Sequence, residues 1–477
     1  MYAAFVSDGD CMQKTRWASA MRTGPAIVAF GALAACAHYS PKPLMPEQTL
    51  QILQSHRLSD PELQRHVREK LGPRESDAAG AVRWDRAALL LAAMDLNPGL
   101  AEARAQLEQA TASVKTARAL QNPTVSLATE YDLSRAAESP WLWGIGSSLL
   151  LDTFLGRGVR VSLAQAGARG ANADFTDAMW TVRRDVRAAL LTAIVAQRRV
   201  ALLEPDVRQR ADLARLAHAR IEAGESARSD GLQTDVELAR SRAALEEARR
   251  ALVDSRAKLA AAVGVTEQAL AEVSVSWDDL EQLPPAHAEA WKELRSRALL
   301  SRPDLERAIA DYDARELELK QQVSAQYLQT SLGPGYTYDH GVRKATFNAS
   351  IALPIFNRNE GPIAEAVAAR EVAGRHALAV QAKILNEIDA AAESYSGALD
   401  ALARTQAQRA ASEALVESAR RGFAADSSDR PTLLAAEAAL NTEKVAELDA
   451  LDRAQQALGQ LEDALRTPLS GPETSLR

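Results

Sequence analysis

The sequence predicts a mainly α-helical protein with two pairs of β-strands, built as two copies of one unit. Three observations predict this class. Of the 477 residues, 47% are hydrophobic but only 5% are aromatic, and Ala and Leu dominate the hydrophobic set. Leucines recur every seven positions over long stretches, and one series of motifs occurs twice. Such composition and periodicity are typical of long packed helices in a repeated architecture.

The internal repeat is visible in short motifs. The segment from Asn97 to Leu100 recurs from Arg302 to Leu305, 205 residues later, and Arg228 to Leu232 recurs from Arg430 to Leu434, 202 residues later. The three-residue difference falls in a predicted strand and loop region, where changes of length are tolerated. We therefore divide the chain into a signal peptide (1–35), a tether and connecting segment (36–83), a first repeat (84–275), a second repeat (276–468) and a C-terminal tail (469–477).

Each repeat is predicted to contain a helix, two strands, a very long helix and a further helix. The strand predictions rest on alternation of apolar and polar residues, which is clearest from Lys344 to Leu353. Its partner strand is interrupted by Gly333, Pro334 and Gly335. The predicted elements are 97–120, 123–132, 142–152, 158–220 and 231–263 in the first repeat, and 303–325, 327–338, 344–353, 361–422 and 432–466 in the second.

The helices carry a coiled-coil pattern. Leu238, Leu245, Leu252 and Leu259 lie seven residues apart, which suits knobs-into-holes packing. In each repeat the two shorter helices together match the long one, at about 57 against 63 residues, so they can pair with it as a column about 95 Å long. An ordinary antiparallel coiled coil would show the same leucine pattern.

The strands indicate an oligomer. Strands of about ten residues can cross a bilayer at a tilt, but four strands cannot form a closed barrel, and open edges are not tolerated in lipid. Membrane insertion would therefore require several chains, and three chains would supply twelve strands. The alternative is a pair of soluble hairpins. Five aromatic residues suit anchoring at a membrane interface: Tyr131, Trp141, Trp143, Tyr336 and Tyr338.

The N-terminus is typical of an exported lipoprotein. Basic residues precede a short apolar stretch from Ala26 to Ala35, as in a signal peptide. Leu33 to Cys36 resembles a lipobox, in which the Cys36 sulfur takes a diacylglycerol before cleavage, and the Ala37 that follows favours the outer membrane. Translation beginning at Met12 or Met21 would also suit the signal peptide. We expect no transmembrane helix after the first forty residues, because no apolar run there is long enough.

Other function classes find little support in the sequence. A net charge of −7 gives no basic footprint for nucleic acid. The seven histidines are scattered, without HExxH, CxxC or a phosphate-binding glycine loop. We therefore expect no enzyme activity, no metal site and no cofactor apart from the covalent lipid on Cys36.

Several segments resemble the TolC-like outer-membrane efflux factors, especially those serving heavy-metal exporters of the resistance-nodulation-division type. The resemblance covers nearly all of 84–468. The segments that carry it are the strand-to-helix junction Leu353–Ala366, the repeat starts Leu96–Leu100 and Arg302–Leu305, and the turn Gly224–Asp230.

The resemblance implies a homotrimer with a twelve-stranded β-barrel in the outer membrane and a twelve-helix α-barrel in the periplasm. Segments 47–83 and 264–300 and the tail after 467 would form an equatorial region. The expected partners are a periplasmic adaptor (a membrane fusion protein), an inner-membrane resistance-nodulation-division pump and outer-membrane lipid. The expected function is passive export, with metal cations as the favoured substrate class.

In such proteins the helix-turn-helix tips form the periplasmic entrance and meet the adaptor. In the first tip, Gly224 suits a positive φ, Ser229 and Asp230 suit an N-cap, and Asp230 lies where relatives place an acid lining the constriction. The second tip departs from the family pattern in three ways. Phe423 stands where Tyr is common, Asp426 replaces Gly, and Arg430 comes two positions later than a gating arginine would.

Two other functions stay open on the sequence. A periplasmic adaptor also has a coiled-coil hairpin and often a lipid anchor, although no flanking lipoyl-like motifs are visible here. A structural coiled-coil lipoprotein without a pore would also fit the leucine pattern.

Overall fold

The computed structural model describes residues 39–72, 82–133, 139–150, 156–286, 288–327, 330–353 and 355–475. The signal peptide and Cys36 lie outside these residues, so both stay predictions. The chain forms two compact units, Met1–Gln51 and Ile52–Arg477. In the described part of the first unit, Tyr39, Leu44 and Leu50 are exposed.

The elements follow one another in the predicted order, and the mainly helical class is confirmed. Their bounds are α1 (Pro46–Ser55), α2 (Pro61–Leu71), α3 (Arg86–Leu96), α4 (Pro98–Arg118), β1 (Thr124–Tyr131), β2 (Trp141–Leu150), α5 (Arg157–Glu222), α6 (Arg228–Val263), α7 (Glu267–Ala271), α8 (Ala288–Ser301), α9 (Pro303–Ser324), β3 (Thr330–Asp339), β4 (Val342–Ile351), α10 (Glu360–Ala424) and α11 (Arg430–Leu465), followed by a 3-10 turn (Pro472–Ser475).

The series helix, two strands, long helix, helix occurs twice, as α4 to α6 and as α9 to α11. The long helices α5 and α10 have 66 and 65 residues. Helix α5 packs against both α4 and α6, and α10 packs against both α9 and α11. Helix α5 also contacts α9 and α11, so it joins the two series.

Within the described ranges, no helix has an apolar stretch long enough to cross a membrane.

In both series a side chain at the start of the first helix donates a hydrogen bond to a carbonyl at the end of the last helix, but the residues differ. Asn97 caps α4 and donates from Nδ2 to the Ala262 carbonyl at 2.9 Å, whereas Arg302 precedes α9 and donates to the Ala464 carbonyl at 3.1 Å. Each contact ties the start of a short helix to the end of the other helix in its series.

Four strands form one antiparallel sheet in the order β1-β2-β3-β4, so β1 and β4 are its edges. The predicted interruption of β3 is only partly correct. Strand β3 pairs with β4 without a break, Pro334 lying opposite Phe347. Pairing with β2 lapses opposite Ser147, because proline has no N–H to donate. Glycine is required at 333, since a Cβ there would lie 1.6 Å from the Ser147 carbonyl oxygen.

The register places apolar and polar side chains on opposite faces of the sheet. The face that we call the apolar face carries Val125, Leu127, Thr129, Tyr131, Trp141, Trp143, Ile145, Ser147, Leu149, Thr330, Leu332, Pro334, Tyr336, Tyr338, Arg343, Ala345, Phe347, Ala349 and Ile351. The opposite, polar face is rich in Ser, Thr, Gly and Asn. Apart from two glycines, all residues of the four strands are exposed or half-buried, so the apolar face is uncovered.

The main hydrophobic core lies where α3 and the middle of α5 meet the end of α6 and the segment after it. Leu89, Leu190, Leu259 and Leu280 are fully buried there. Helix α3 was not predicted as a separate helix. All of its residues from Arg86 to Ala93 are buried, so it lacks the one-sided periodicity that reveals a surface helix.

Candidate functional site

The turn between α5 and α6, which we call tip 1 (219–232), has the predicted geometry at its glycine. Gly224 has a φ of +77°, so the predicted positive φ is confirmed. The Glu225 N–H donates to the Arg220 carbonyl at 2.8 Å and closes the end of α5.

The predicted N-cap at Ser229 and Asp230 is wrong. Helix α6 begins at Arg228 and has Ala227 as its cap residue, without a side-chain hydrogen bond. The Asp230 N–H already donates to the Ala227 carbonyl at 3.1 Å, which places Ser229 and Asp230 in the first helical turn. An acid there is favoured by the positive end of the helix dipole. Asp230 takes part in no ion pair among the described residues.

The turn between α10 and α11, which we call tip 2 (421–434), keeps the backbone of tip 1. Asp426 has a φ of +51° and so takes the left-handed conformation that Gly224 takes 202 residues earlier. The Ser427 N–H donates to the Gly422 carbonyl at 2.9 Å. Phe423 is 41% exposed, and Arg430 is the exposed first residue of α11.

A contact between the two tips was missed by the sequence analysis. An Arg220 guanidinium nitrogen at the end of α5 lies 3.2 Å from Asp429 Oδ2 at the start of α11. Asp429 also caps α11, accepting from the Thr432 N–H at 3.1 Å and the Thr432 hydroxyl at 2.5 Å. The hydrogen bonds from Thr432, together with Arg220, hold the pKa of Asp429 below its ordinary value. An acid followed two residues later by a proline at the helix start was the signal that could have identified this cap.

Tip 1 is closely packed just above the turn. A Cβ on Gly231 would lie 2.6 Å from the end of the Ile221 side chain, so a larger residue there would require Ile221 to shift. Nearby, His218 Nε2 on α5 lies 3.1 Å from both carboxylate oxygens of Asp235 on α6. The pair of His218 with Asp235 and the close contact of Gly231 with the Ile221 side chain thus hold α5 and α6 together near the turn.

The sequence also showed no sign of a second polar group. We call it the central charge cluster, and it consists of Arg86, Arg183, Arg187, Glu462 and Glu473. Its five side chains are nearly fully buried and come from α3, α5, α11 and the C-terminal turn. Arg183 contacts Glu462 at 2.9 Å and Glu473 at 2.6 Å, while Arg187 contacts Glu462 at 3.2 Å and Arg86 contacts Glu473 at 3.2 Å.

Burial acts against the charge of Arg183, Arg187 and Glu462. It lowers the pKa of Arg187 to about 10, with help from the neighbouring Arg86 and Arg183. Burial also opposes ionisation of Glu462, but Arg183 and Arg187 outweigh it and hold the pKa of this carboxyl below its ordinary value. Glu462 is therefore held ionised by the two arginines that contact it.

Two glycines leave the space that these arginines need. A Cβ on Gly459 would lie 2.4 Å from an Arg187 nitrogen, and one on Gly471 would lie 1.5 Å from an Arg86 nitrogen. Neither contact is visible in sequence, since the paired residues lie hundreds of positions apart. In the described part of the chain, no group of three or more His, Cys, Asp or Glu residues is placed to hold a metal ion.

Comparison with known proteins gives one consistent result. The family model of the outer membrane efflux protein matches residues 89–265. The cobalt-zinc-cadmium resistance protein CzcC of Cupriavidus metallidurans is 27% identical over 299 residues, which cover 62% of this chain and 68% of CzcC.

Two solved structures share the fold. A membrane protein from Pseudomonas aeruginosa superposes with a TM-score of 0.66 at 20% identity, covering 80% of this chain and 93% of its own. The open state of the MtrE outer membrane channel of Neisseria gonorrhoeae superposes with a TM-score of 0.64 at 18% identity, covering 79% and 88%. Residues 89–265 thus match the outer membrane efflux protein family, and the chain as a whole shares the fold of solved outer-membrane channels.

Proposed function

We propose that this chain is one subunit of a homotrimeric outer-membrane channel that passes solutes from the periplasm to the exterior. The uncovered apolar face of the sheet carries this proposal. Val125, Leu127 and Phe347 on that face are 68%, 74% and 67% exposed. Exposed apolar area of this extent is disfavoured in water but suits contact with lipid. The polar face would then line a water-filled lumen.

The open edges of the sheet support a trimer. Strands β1 and β4 each have one edge without a partner strand in the described residues. Unpaired backbone groups are costly in hydrocarbon, so β4 of one chain must pair with β1 of the next. Three chains would close a barrel of twelve strands.

The helices would continue the duct below the membrane. At 1.5 Å per residue, α5 and α10 each extend about 100 Å. We infer that the two series, α4–β1–β2–α5–α6 and α9–β3–β4–α10–α11, are duplicated units, supported by the matching contacts at Asn97 and Arg302. Three chains would supply twelve columns of helix for a periplasmic barrel.

The tips would form the entrance and meet the other components. We propose a periplasmic adaptor and an inner-membrane resistance-nodulation-division pump as partners, with energy and selection supplied by the pump. Within the tips, Arg220 and Asp429 are the residues that we assign to holding the entrance closed. Asp230 remains our candidate for an acid that lines the constriction.

Metal cations are the substrate class that we favour. Support comes from CzcC, a cobalt-zinc-cadmium resistance protein by name, which resembles this chain over most of its length. A lipid on Cys36 would anchor each subunit, since each buried methylene contributes about 0.8 kcal/mol to membrane binding. Labelling with radioactive palmitate, compared between the natural chain and Cys36→Ser, tests the anchor.

Conductance in a planar bilayer tests the channel. The full-length protein, extracted in detergent and crosslinked to establish its subunit number, is expected to run as a trimer and to form discrete conducting pores. A matched variant, Phe347→Asp, places a charge in the middle of the apolar face and is expected to abolish insertion. A monomer without conductance would refute the proposal, and so would a Phe347→Asp variant that conducts like the natural chain.

A further inference from the structure

The apolar face of the sheet carries one charged side chain, Arg343. All other members of this face in β1 to β4 are apolar, aromatic or hydroxyl residues. The neighbouring Lys344 points to the polar face, where it pairs with Asp339. Arg343 is therefore an exception on a surface that the proposed function places against lipid.

Arg343 lies at the end of the sheet where the aromatic residues gather. It is the second residue of β4 and lies opposite Tyr338, which stacks on Trp143 with ring centroids 6.0 Å apart. Two residues nearer the turn between β1 and β2, the rings of Tyr131 and Trp141 lie edge to face with their centroids 4.8 Å apart. These residues border the turns at the end of the sheet opposite the helices. In a membrane that end would face the outer leaflet, and its aromatic side chains would mark the headgroup level.

The Arg343 guanidinium is exposed and has no hydrogen-bond or ion-pair partner among the described residues. The edge strand of a neighbouring subunit would not supply one. Strand β1 presents Val125, Leu127, Thr129 and Tyr131 on this face, and none of them is an acid. Among the described residues, neither this chain nor the β1 strand of a neighbouring subunit offers Arg343 an acid on this face.

We propose that Arg343 binds the phosphate of an anionic lipid headgroup in the outer leaflet, an inference that rests on the proposed channel function. A charge facing lipid is costly at the bilayer midplane and tolerated near the interface, where the aromatic residues place this one. Guanidinium groups bind phosphate through two parallel hydrogen bonds. The site thus favours an anionic lipid, whose phosphate has no cationic group beside it, over a zwitterionic lipid such as phosphatidylcholine.

The test compares lipid retention between variants of the full-length protein. Protein in detergent is incubated with an equal mixture of lipid A and phosphatidylcholine, and the retained lipids are counted by native mass spectrometry. Arg343→Gln is expected to lower the preference for lipid A about tenfold, equivalent to 1.4 kcal/mol, and Arg343→Lys to keep part of it. Lys344→Gln, altered one residue away on the polar face, is the matched control and should behave like the natural chain.

Bilayer conductance measured on the same samples separates this inference from the proposed function. A conducting natural chain whose Arg343→Gln variant keeps its full preference for lipid A would overturn the lipid site alone. Equal loss of preference in Lys344→Gln would overturn it as well, because the effect would not belong to the apolar face. A natural chain that neither conducts nor retains lipid would overturn both.

Discussion

Breaking the contact between Arg220 and Asp429 is expected to favour an open entrance. Their side chains are 47% and 46% exposed, and an exposed ion pair changes an equilibrium by about fivefold at most. If the three subunits of the proposed trimer open together, the loss of three such pairs shifts the balance between closed and open states by up to about a hundredfold. The effect should fade as salt is raised, because exposed charges are screened.

The design has to separate the ion pair from the helix cap. Asp429→Asn keeps a good N-cap for α11 and removes the charge, while Arg220→Gln removes the other partner. The open probability in planar bilayers should rise in each variant by a similar factor, and the double variant should add little to either one. Arg250→Gln, which removes a surface pair with Glu247 on α6, is the matched control. The gate assignment fails if both single variants keep the open probability of the natural chain at low salt, or if the two effects multiply in the double variant.

Three further predictions concern the central charge cluster and the residues beside it. Burial raises the pKa of Asp463 from 3.8 to about 6, so the folded chain holds this proton more tightly and stability falls as pH rises through that window. In melting experiments, Asp463→Asn should remove this fall of stability with rising pH and should stabilise the protein at pH 7.5 by about 1–3 kcal/mol. The exposed control Asp254→Asn should change neither the pH dependence nor the stability at pH 7.5. Glu462→Gln leaves two buried arginines without their shared carboxylate and should cost about 3–5 kcal/mol, and an unchanged melting midpoint would contradict the ion pairing. Gly471→Ala forces a Cβ into Arg86 at a φ of +77° and should lower the melting midpoint, while Gly158→Ala, with open space at its Cβ, should not.

Local sequence patterns predicted the long elements well. Helix α5 was expected over 158–220 and spans Arg157–Glu222, and α10 was expected over 361–422 and spans Glu360–Ala424. Heptad spacing and turn residues act within a few positions, so a single sequence reveals them. The N-cap of α6 was misplaced because Ser and Asp favour the first turn of a helix as well as its cap.

Contacts between distant parts of the chain could not be predicted in the same way. Arg183 and Glu462 lie 279 positions apart, and both read as surface charges within their heptads. Charged residues are rarely buried unless they are paired, so each looks exposed until its partner is known. The tips show the same difference. The positive φ of Gly224 in tip 1 could be predicted from the sequence, but the pairing of Arg220 in tip 1 with Asp429 in tip 2 could not.

The two series of elements also differ in how they bind to the rest of the chain. Where α6 ends on Gly264 with a φ of +90°, α11 ends on Arg466 with a φ of +48°, and this arginine reaches Asp177 on α5 at 2.5 Å. The residue before α6 is Ala227, whereas the residue before α11 is Asp429, which forms an ion pair with Arg220, also on α5. Residues that only shape the backbone in the first series are thus replaced in the second by charged residues that contact α5. Both ends of α11 are thus tied to α5, and in a movement of α5 at the proposed entrance we expect the more exposed tie, between Arg220 and Asp429, to break first. The tie at Arg466 is less exposed and lies beside the buried core, so we expect it to persist and to act as the fixed end of that movement.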